Sequence, residues 1–580
     1  MPPNPEKNRQ TTNNQPRRAY PPLPPLAPDL EVAHSIRLDP ITEVAARAGI
    51  EPDELEPFGH AKAKIRESLW ERLKQRPDGK LVLVTAITAT RAGEGKTVTS
   101  IGLSQALARR GVNQMLTLRE PSLGPTFGIK GGGAGGGYAQ VLPMEDINMH
   151  FTGDLHAVTT AHNLLAAVVD NHIHHGNPLN LDPDKLVWRR VMDLCDRQLR
   201  HCQVGLGRDV DGFPHASGFD ITASSEVMAI LALAEDMADL QARLARIVVG
   251  FTRDGRPVQA GQLGVVGSMA VLLREAIKPN LVQTTENTPA LIHCGPFANI
   301  AHGCNSIRAT RLALKLADVA VTEVGFAADL GAEKFFNIKC RRAGLHPDAA
   351  VLVVSCRALK MHGGVGRQDL PLENLPALRC GLANACVHIE NLHAFGVPVV
   401  VAVNRFPQDT PAELDAVFEF CERMNVPAAL SEVAARGGPG GLELADALLN
   451  ALEKPSRFAP LYDPEAPIKQ KIEMIARQIY RADGVDYRPE AEVDIERLEK
   501  FDMDRLPVCM AKTQLSLSDD PRKKAAPTGW RLTVRRIFVR HGAGFLVVLT
   551  GQTLLMPGMP RQPATERIGI DAEGHVFGLS

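Results

Sequence analysis

Leu81-Val-Leu-Val-Thr-Ala-Ile-Thr88, Ala89-Thr-Arg-Ala-Gly-Glu-Gly-Lys96 and Thr97-Val-Thr-Ser100 follow one another without a break. An apolar run of strand length, a loop with two glycines and a helix opening read as one strand–loop–helix unit that holds phosphate. Gly93 and Gly95 let the backbone approach a polyanion, and Glu94 lies between them. The free N–H groups of the first helical turn face that charge, Lys96 adds a cation, and Thr97 can reach a metal ion. The pattern is incomplete, because Thr90 stands where G-x-x-x-x-G-K-[ST] has its first glycine. A plain strand–turn–helix junction is the competing reading.

Working outward, Pro77-Asp-Gly marks a turn into this strand. Much of 38–80 reads as helix, with Ile65, Leu69 and Leu73 four residues apart on one face. Downstream, a helix over 97–110 ends near Gly111, and Gln114 to Leu118 is a second strand. The residues 128–138 hold seven glycines, too many for a stable helix or strand. They form either a mobile loop or a closely packed one whose backbone donors serve a ligand, with Lys130 nearby. Residues 161–175, 186–202 (with Arg189, Arg190 and Arg197), 222–248 and 268–277 read as helices. Strands at 319–323, 349–355 and 397–404 then alternate with helices at 304–316, 375–394 and 411–423. Helices at 467–481 and 489–500 and β-rich stretches at 530–540 and 545–550 close the chain.

The fold class expected is therefore α/β: a P-loop NTPase-like, mostly parallel sheet with additional α/β domains. The expected organisation has a disordered tail at 1–30 and the first part of the nucleotide domain at 31–160. An interleaved substrate and interface region follows at 161–325, then a return to the nucleotide-domain sheet at 326–405, and a C-terminal α/β domain at 406–580.

Composition narrows the function. Among 580 residues, 65 basic and 66 acidic side chains balance, which gives no general attraction to nucleic acid or to a membrane surface. Aromatic content of 5% argues against extended base-stacking surfaces. Ten scattered cysteines fit free thiols in a reducing compartment, and Cys195 and Cys202 lack zinc-knuckle spacing. The start is polar and proline-rich with no apolar core, so no secretory signal is read and a cytoplasmic location is expected.

The charged constellations point to oxyanions. Arg119 stands immediately after a strand, where open parallel sheets carry their ligands, and Arg197 lies among other arginines. Guanidinium forks suit carboxylate and phosphate alike, and Glu120 can orient one of them. A surface salt bridge is the alternative for each arginine. Asn404 reads equally as a base- or substrate-reading amide, with Asp409, or as a cap of the next segment. Phe406 can stack on a planar ring or pack under its loop. Histidines 150, 156, 162, 172, 174, 175, 293 and 302 do not form a metal-ligand spacing. There is no nucleophile elbow. What remains is activation of an oxyanion by a nucleotide: transfer of phosphate to a carboxylate, which needs positive charge, Mg²⁺ and water exclusion more than a protein nucleophile.

Long segments then resemble the formate–tetrahydrofolate ligase family in its monofunctional form, from about residue 35 to 580. They include Ala92-Gly-Glu-Gly-Lys-Thr97, Leu118-Arg-Glu-Pro-Ser-Leu-Gly-Pro125, Pro143-Met-Glu-Asp-Ile-Asn-Met-His-Phe-Thr-Gly-Asp154 and Asp170-Asn-His-Ile-His-His175. Asn280-Leu-Val-Gln-Thr284, Gly295-Pro-Phe-Ala-Asn-Ile-Ala-His-Gly-Cys-Asn-Ser306, Gly331-Ala-Glu-Lys-Phe-Phe-Asn-Ile-Lys-Cys-Arg341, Ala358-Leu-Lys-Met-His-Gly-Gly364 and Met510-Ala-Lys-Thr-Gln514 continue it in order. The resemblance implies formylation of tetrahydrofolate at N10 through formyl phosphate, with ATP, Mg²⁺ and a monovalent cation (K⁺ or NH₄⁺), by a homotetramer. It puts Lys96 and Thr97 at the ATP phosphates, Arg119 and Arg197 around formate or formyl phosphate, and Phe406 against the pterin. The chain departs from the pattern at Arg91 (usually proline), Val98 (threonine), Ala327 (glycine), Asn337 (aspartate), Leu515 (tyrosine) and Ala434, where a large aromatic partner for the pterin is common. Those departures leave two other readings open: a catalytically weakened nucleotide-binding homologue, and an ATP-dependent ligase with a changed substrate.

Overall fold

The structure is a computed structural model that describes residues 18–91, 93–128, 133–551 and 554–579. Lys130 and Ala92 lie outside the described residues, as does the tail before Arg18.

A sheet of twelve strands dominates the molecule. Its parallel part consists of β1 (Lys80–Ala86), β2 (Gln114–Leu118), β3 (Pro289–Ile292), β4 (Val319–Glu323), β5 (Ala349–Val354), β6 (Val399–Asn404) and β7 (Ala428–Ser431). Their order across the sheet is β3-β2-β4-β1-β5-β6-β7, with every neighbouring pair parallel. Antiparallel strands Asn280–Thr284, Ala63–Ile65 and Leu55–Pro57 extend it beyond β3. The sheet thus runs through the boundaries expected at 160, 325 and 405.

The apolar runs of β1, β5 and β6 reflect burial on both faces. Period-2 alternation sends Leu81, Leu83, Leu352, Val354, Val401 and Val403 into one core. Val82, Val84, Val351, Val353, Val400 and Ala402 enter the other. Helix α1 (Lys96–Arg109) covers the second face through Ile101, Leu103, Ala106 and Leu107. Helices α2 (Cys356–His362), Leu375–Ala394 and α3 (Pro411–Arg423) follow β5 and β6, the last two in the positions read from the sequence. The C-terminal region carries helices Ile468–Gln478 and Pro489–Lys500 and a small sheet of Val508–Ala511, Phe545–Leu549 and Arg536–Arg540.

Three expectations fail. Residues 38–80 contain two helices of 7 residues each, Ile41–Arg47 and Glu67–Leu73, around a β-hairpin. Ile65 lies in that hairpin, so only Leu69 and Leu73 share the helical face. No helix covers 186–202. There Asn163 receives the Val191 N–H at 2.9 Å and donates to the Val191 carbonyl at 3.0 Å. Asp193 likewise accepts from Ser122 and from the backbone of Leu123. Asn163 thus takes the two backbone groups of Val191 that a helix would have used, leaving strand Arg190–Met192 and a short 3₁₀ turn, Arg197–Arg200. Finally, residues 18–28, expected within the tail, are described and lie against the body: Tyr20 Oη donates to Asp415 at 2.7 Å.

Candidate active site

Five neighbouring strands, β2, β4, β1, β5 and β6, deliver their carboxyl ends to one edge of the sheet. Adjacent strands lie about 4.8 Å apart. Arg119 follows β2, Glu323 ends β4, the loop to Lys96 follows β1, Arg357 opens α2 after β5, and Asn404 ends β6. One row of about 20 Å therefore carries two arginines, a lysine, a carboxylate and an amide.

The loop after β1 turns through two left-handed glycines. Gly93 and Gly95 have φ of 74° and 85°, a region costly for any residue with a Cβ. At Gly95 a Cβ would also lie 2.2 Å from Asn404 Nδ2. Asn404 Nδ2 donates to the Glu94 carbonyl at 3.0 Å, which ties the end of β6 to this loop. Thr410 caps α3. The Glu94 side chain is 5% exposed, accepts from the Thr90 N–H at 2.6 Å and lies 3.7 Å from Lys96 Nζ. It braces the loop from inside. Gly95 is the N-cap of α1, so the first-turn N–H groups remain for an anion.

Thr97 Oγ1 donates to Glu323 Oε2 at 2.9 Å. Glu323 is 5% exposed and comes from the strand beside β1. A hydroxyl held on a buried carboxylate next to a phosphate loop offers the hard oxygens Mg²⁺ prefers. The sequence reading placed the strand but missed this acid.

Arg357 was missed too. Its guanidinium carbon lies 3.4 Å from the Phe406 ring centroid, and Nη2 is 3.4 Å from the Gly93 carbonyl. It covers one face of Phe406 and ties that ring to the phosphate loop. Asp409 accepts the Phe406 N–H at 2.8 Å, and burial raises its carboxyl to about 6.

Arg119 has few partners: Nη1 is 3.5 Å from the Pro296 carbonyl, and its buried Nε has no hydrogen-bond partner among the described residues. Beside it Glu120 is buried with Oε2 unpartnered, and burial, then the nearby Asp154, raises its carboxyl well above the usual range. Asp154 itself is met by Lys64 and Asn280, each at 2.8 Å. The backbone is strained here, with Phe326 at φ 60° and Cys294 at φ 58°. Arg197 is exposed and donates to the Met559 carbonyl; among the described residues no hydrogen bond or ion pair joins it to Arg119 or Lys96.

A family model described as formate–tetrahydrofolate ligase matches residues 27–580. The chain belongs to that family. The activity is ATP-dependent ligation of formate to tetrahydrofolate, and family membership implies use of ATP, Mg²⁺ and tetrahydrofolate.

In this ligase His162, His293 and His302 serve the interior. His293 is bonded to Ser306 and to the Ala276 carbonyl, each at 2.7 Å, and burial lowers it to about 3. His162 stacks on Trp188 at 4.0 Å. His302 is fully buried with both nitrogens unpartnered, and burial, with Lys339, Lys334 and Arg119 around it, holds the ring neutral. Among the described residues no group of three or more His, Cys, Asp or Glu is arranged to hold a metal ion. No helix among them is long and apolar enough to cross a membrane.

Proposed function

We propose that the row of strand ends is the ligation site and that the sheet acts as a P-loop NTPase-like platform. The loop of Gly93, Gly95 and Lys96 holds the ATP phosphates. A formate oxygen attacks the γ-phosphorus as its bond to the bridging oxygen breaks, giving ADP and formyl phosphate. Lys96 and Arg119 stabilise the charge on the transferring oxygens. N10 of tetrahydrofolate then attacks the formyl carbon, phosphate leaves, and the departing phosphate takes the N10 proton. Phe406 offers its free face to the pterin. Arg197 reaches formyl phosphate only with movement of its loop.

Thr97 and Glu323 are the residues that fit Mg²⁺, and the ion bound there supplies charge neutralisation at the phosphates. The buried pair Glu120 and Asp154 fits a monovalent cation, because Glu120 Oε2 is unpartnered. A homotetramer, which the family resemblance implies, a cytoplasmic location and segment boundaries at 160, 325 and 405 complete this reading.

The observation that carries the proposal is the Thr97–Glu323 hydrogen bond beside Lys96, one strand from Arg119. The competing reading, a weakened homologue or a ligase for another substrate, rests on Ala434, which is half-buried and offers no ring. The test is 10-formyltetrahydrofolate formation with Mg-ATP, formate and tetrahydrofolate, each omitted in turn, for wild type and Lys96→Ala. Product requiring all three, with turnover lost in the variant, is expected. Turnover near wild type in Lys96→Ala would remove that residue's role.

A further inference from the structure

Residues 18–26 precede the region matched by the family, 27–580, yet they are built into the fold. Arg18 lies 4.0 Å from the Phe418 ring centroid and 3.6 Å from Glu443. Tyr20 Oη donates to Asp415 on α3 at 2.7 Å. The next carbonyls face two different loops. Arg405 Nη1 donates to Pro21 O at 2.9 Å, and its Nη2 lies 3.4 Å from Tyr20 O. Arg436 Nη2 donates to Pro22 O at 3.2 Å. Arg405 stands beside Phe406 in the loop after β6, whereas Arg436 belongs to the loop after β7 that holds Ala434.

The two loops already meet through Glu432, which takes Arg405 at 2.5 Å and Arg436 at 2.7 Å. The Arg405 and Glu432 side chains are only 8% and 11% exposed. Further on, the Asp29 carboxylate accepts the Gly137 N–H at 2.7 Å, and the Ala434 carbonyl accepts the Tyr138 N–H at 2.9 Å. The segment therefore runs from α3, across both loops, to the glycine-rich turn. Prolines 21, 22, 24, 25 and 28 suit this path. They lack N–H donors that would need partners, and their fixed φ leaves little entropy to lose on docking.

We propose that residues 18–26 are a strap that positions the pterin-side loops, with Tyr20 and Arg405 as positioning residues for tetrahydrofolate. This rests on the folate reading of Phe406 and Ala434 given above. With no ring at position 434, Phe406 alone must present a fixed face, and the strap holds the loop that bears it.

The test compares the full chain, a truncation beginning at Ala27, and the double variant Arg18→Ala/Tyr20→Ala, which keeps chain length. Hydrogen exchange is followed at 405–409 and 431–436 with and without tetrahydrofolate, beside steady-state kinetics. Faster exchange in both variants is expected, with a tetrahydrofolate KM raised about tenfold. The KM values for ATP and formate and the kcat should stay within about twofold. Unchanged exchange, an unchanged tetrahydrofolate KM, or a parallel loss of kcat and all affinities would overturn the proposal. A full chain that neither turns over tetrahydrofolate nor responds to it in exchange would defeat the folate reading itself, before any truncation is compared.

Discussion

Glu323→Gln keeps the size and one carbonyl oxygen of the side chain while removing its charge. In the wild type that carboxylate is 5% exposed and takes the Thr97 hydroxyl at 2.9 Å. Unit charges about 4 Å apart attract by about 4 kcal/mol at an effective dielectric near 20. A divalent ion doubles this, and solvent and side-chain relaxation return a large part. A net loss of about 3–4 kcal/mol corresponds to a kcat lowered about 10²–10³-fold. Thr97 retains a neutral acceptor, so the melting temperature should hold within a few degrees. The assay is the initial rate of 10-formyltetrahydrofolate formation, with Mg-ATP varied at saturating formate and tetrahydrofolate and free Mg²⁺ titrated separately. A kcat within about threefold of wild type with the same Mg²⁺ dependence would refute the assignment.

Gly95→Ala places a methyl 2.2 Å from Asn404 Nδ2 at a φ of 85°, so the Mg-ATP KM should rise at least about tenfold and stability fall by about 1–2 kcal/mol; an unchanged KM would sink the cradle geometry. Arg357→Met removes a contact worth about 0.5–2 kcal/mol from the Phe406 ring, raising the tetrahydrofolate KM about two- to thirtyfold in steady-state kinetics; no rise would show that the ring needs no such support. Asp409 has its folded carboxyl raised to about 6 from 3.8, so the native state binds the proton more tightly and stability falls as pH rises through that window. Asp409→Asn should match wild type below pH 3.8 and exceed it by up to about 3 kcal/mol above pH 6, seen as a pH-dependent gap in melting temperature. A gap that does not change with pH would contradict the buried titration.

The strand–loop–helix at 81–100 was legible because an unbroken apolar run, glycine and lysine each have one physical meaning there. The place of Arg119 at a strand end was legible because it directly follows an apolar run. Glu323 was not, since an acid at a strand end looks like a solvent-facing terminus until the neighbouring strand is known. Arg357 resembles any first-turn surface arginine, and its partners Phe406 and Gly93 are remote in sequence. Asn404 stands out in sequence as a polar end to an apolar strand, but its hydrogen bond to Glu94, 310 residues away, does not. The helix read over 186–202 failed because Asn163 takes both backbone groups of Val191, which no local pattern shows.

The strand order also sets a timetable for synthesis. β1 is central, yet its neighbours β4 and β5 are made more than 200 residues later. Thr97 waits 226 residues for Glu323, and Glu94 waits 310 for Asn404. At about 5–20 residues per second, that is about 10–60 s during which Leu81–Ala86 emerges with both edges unpaired. Such a strand is a template for wrong pairing. The nascent chain therefore carries its aggregation risk in the strand that leads into the glycine loop, and shielding of residues 80–86 during translation should govern soluble yield more than the stability of the finished enzyme.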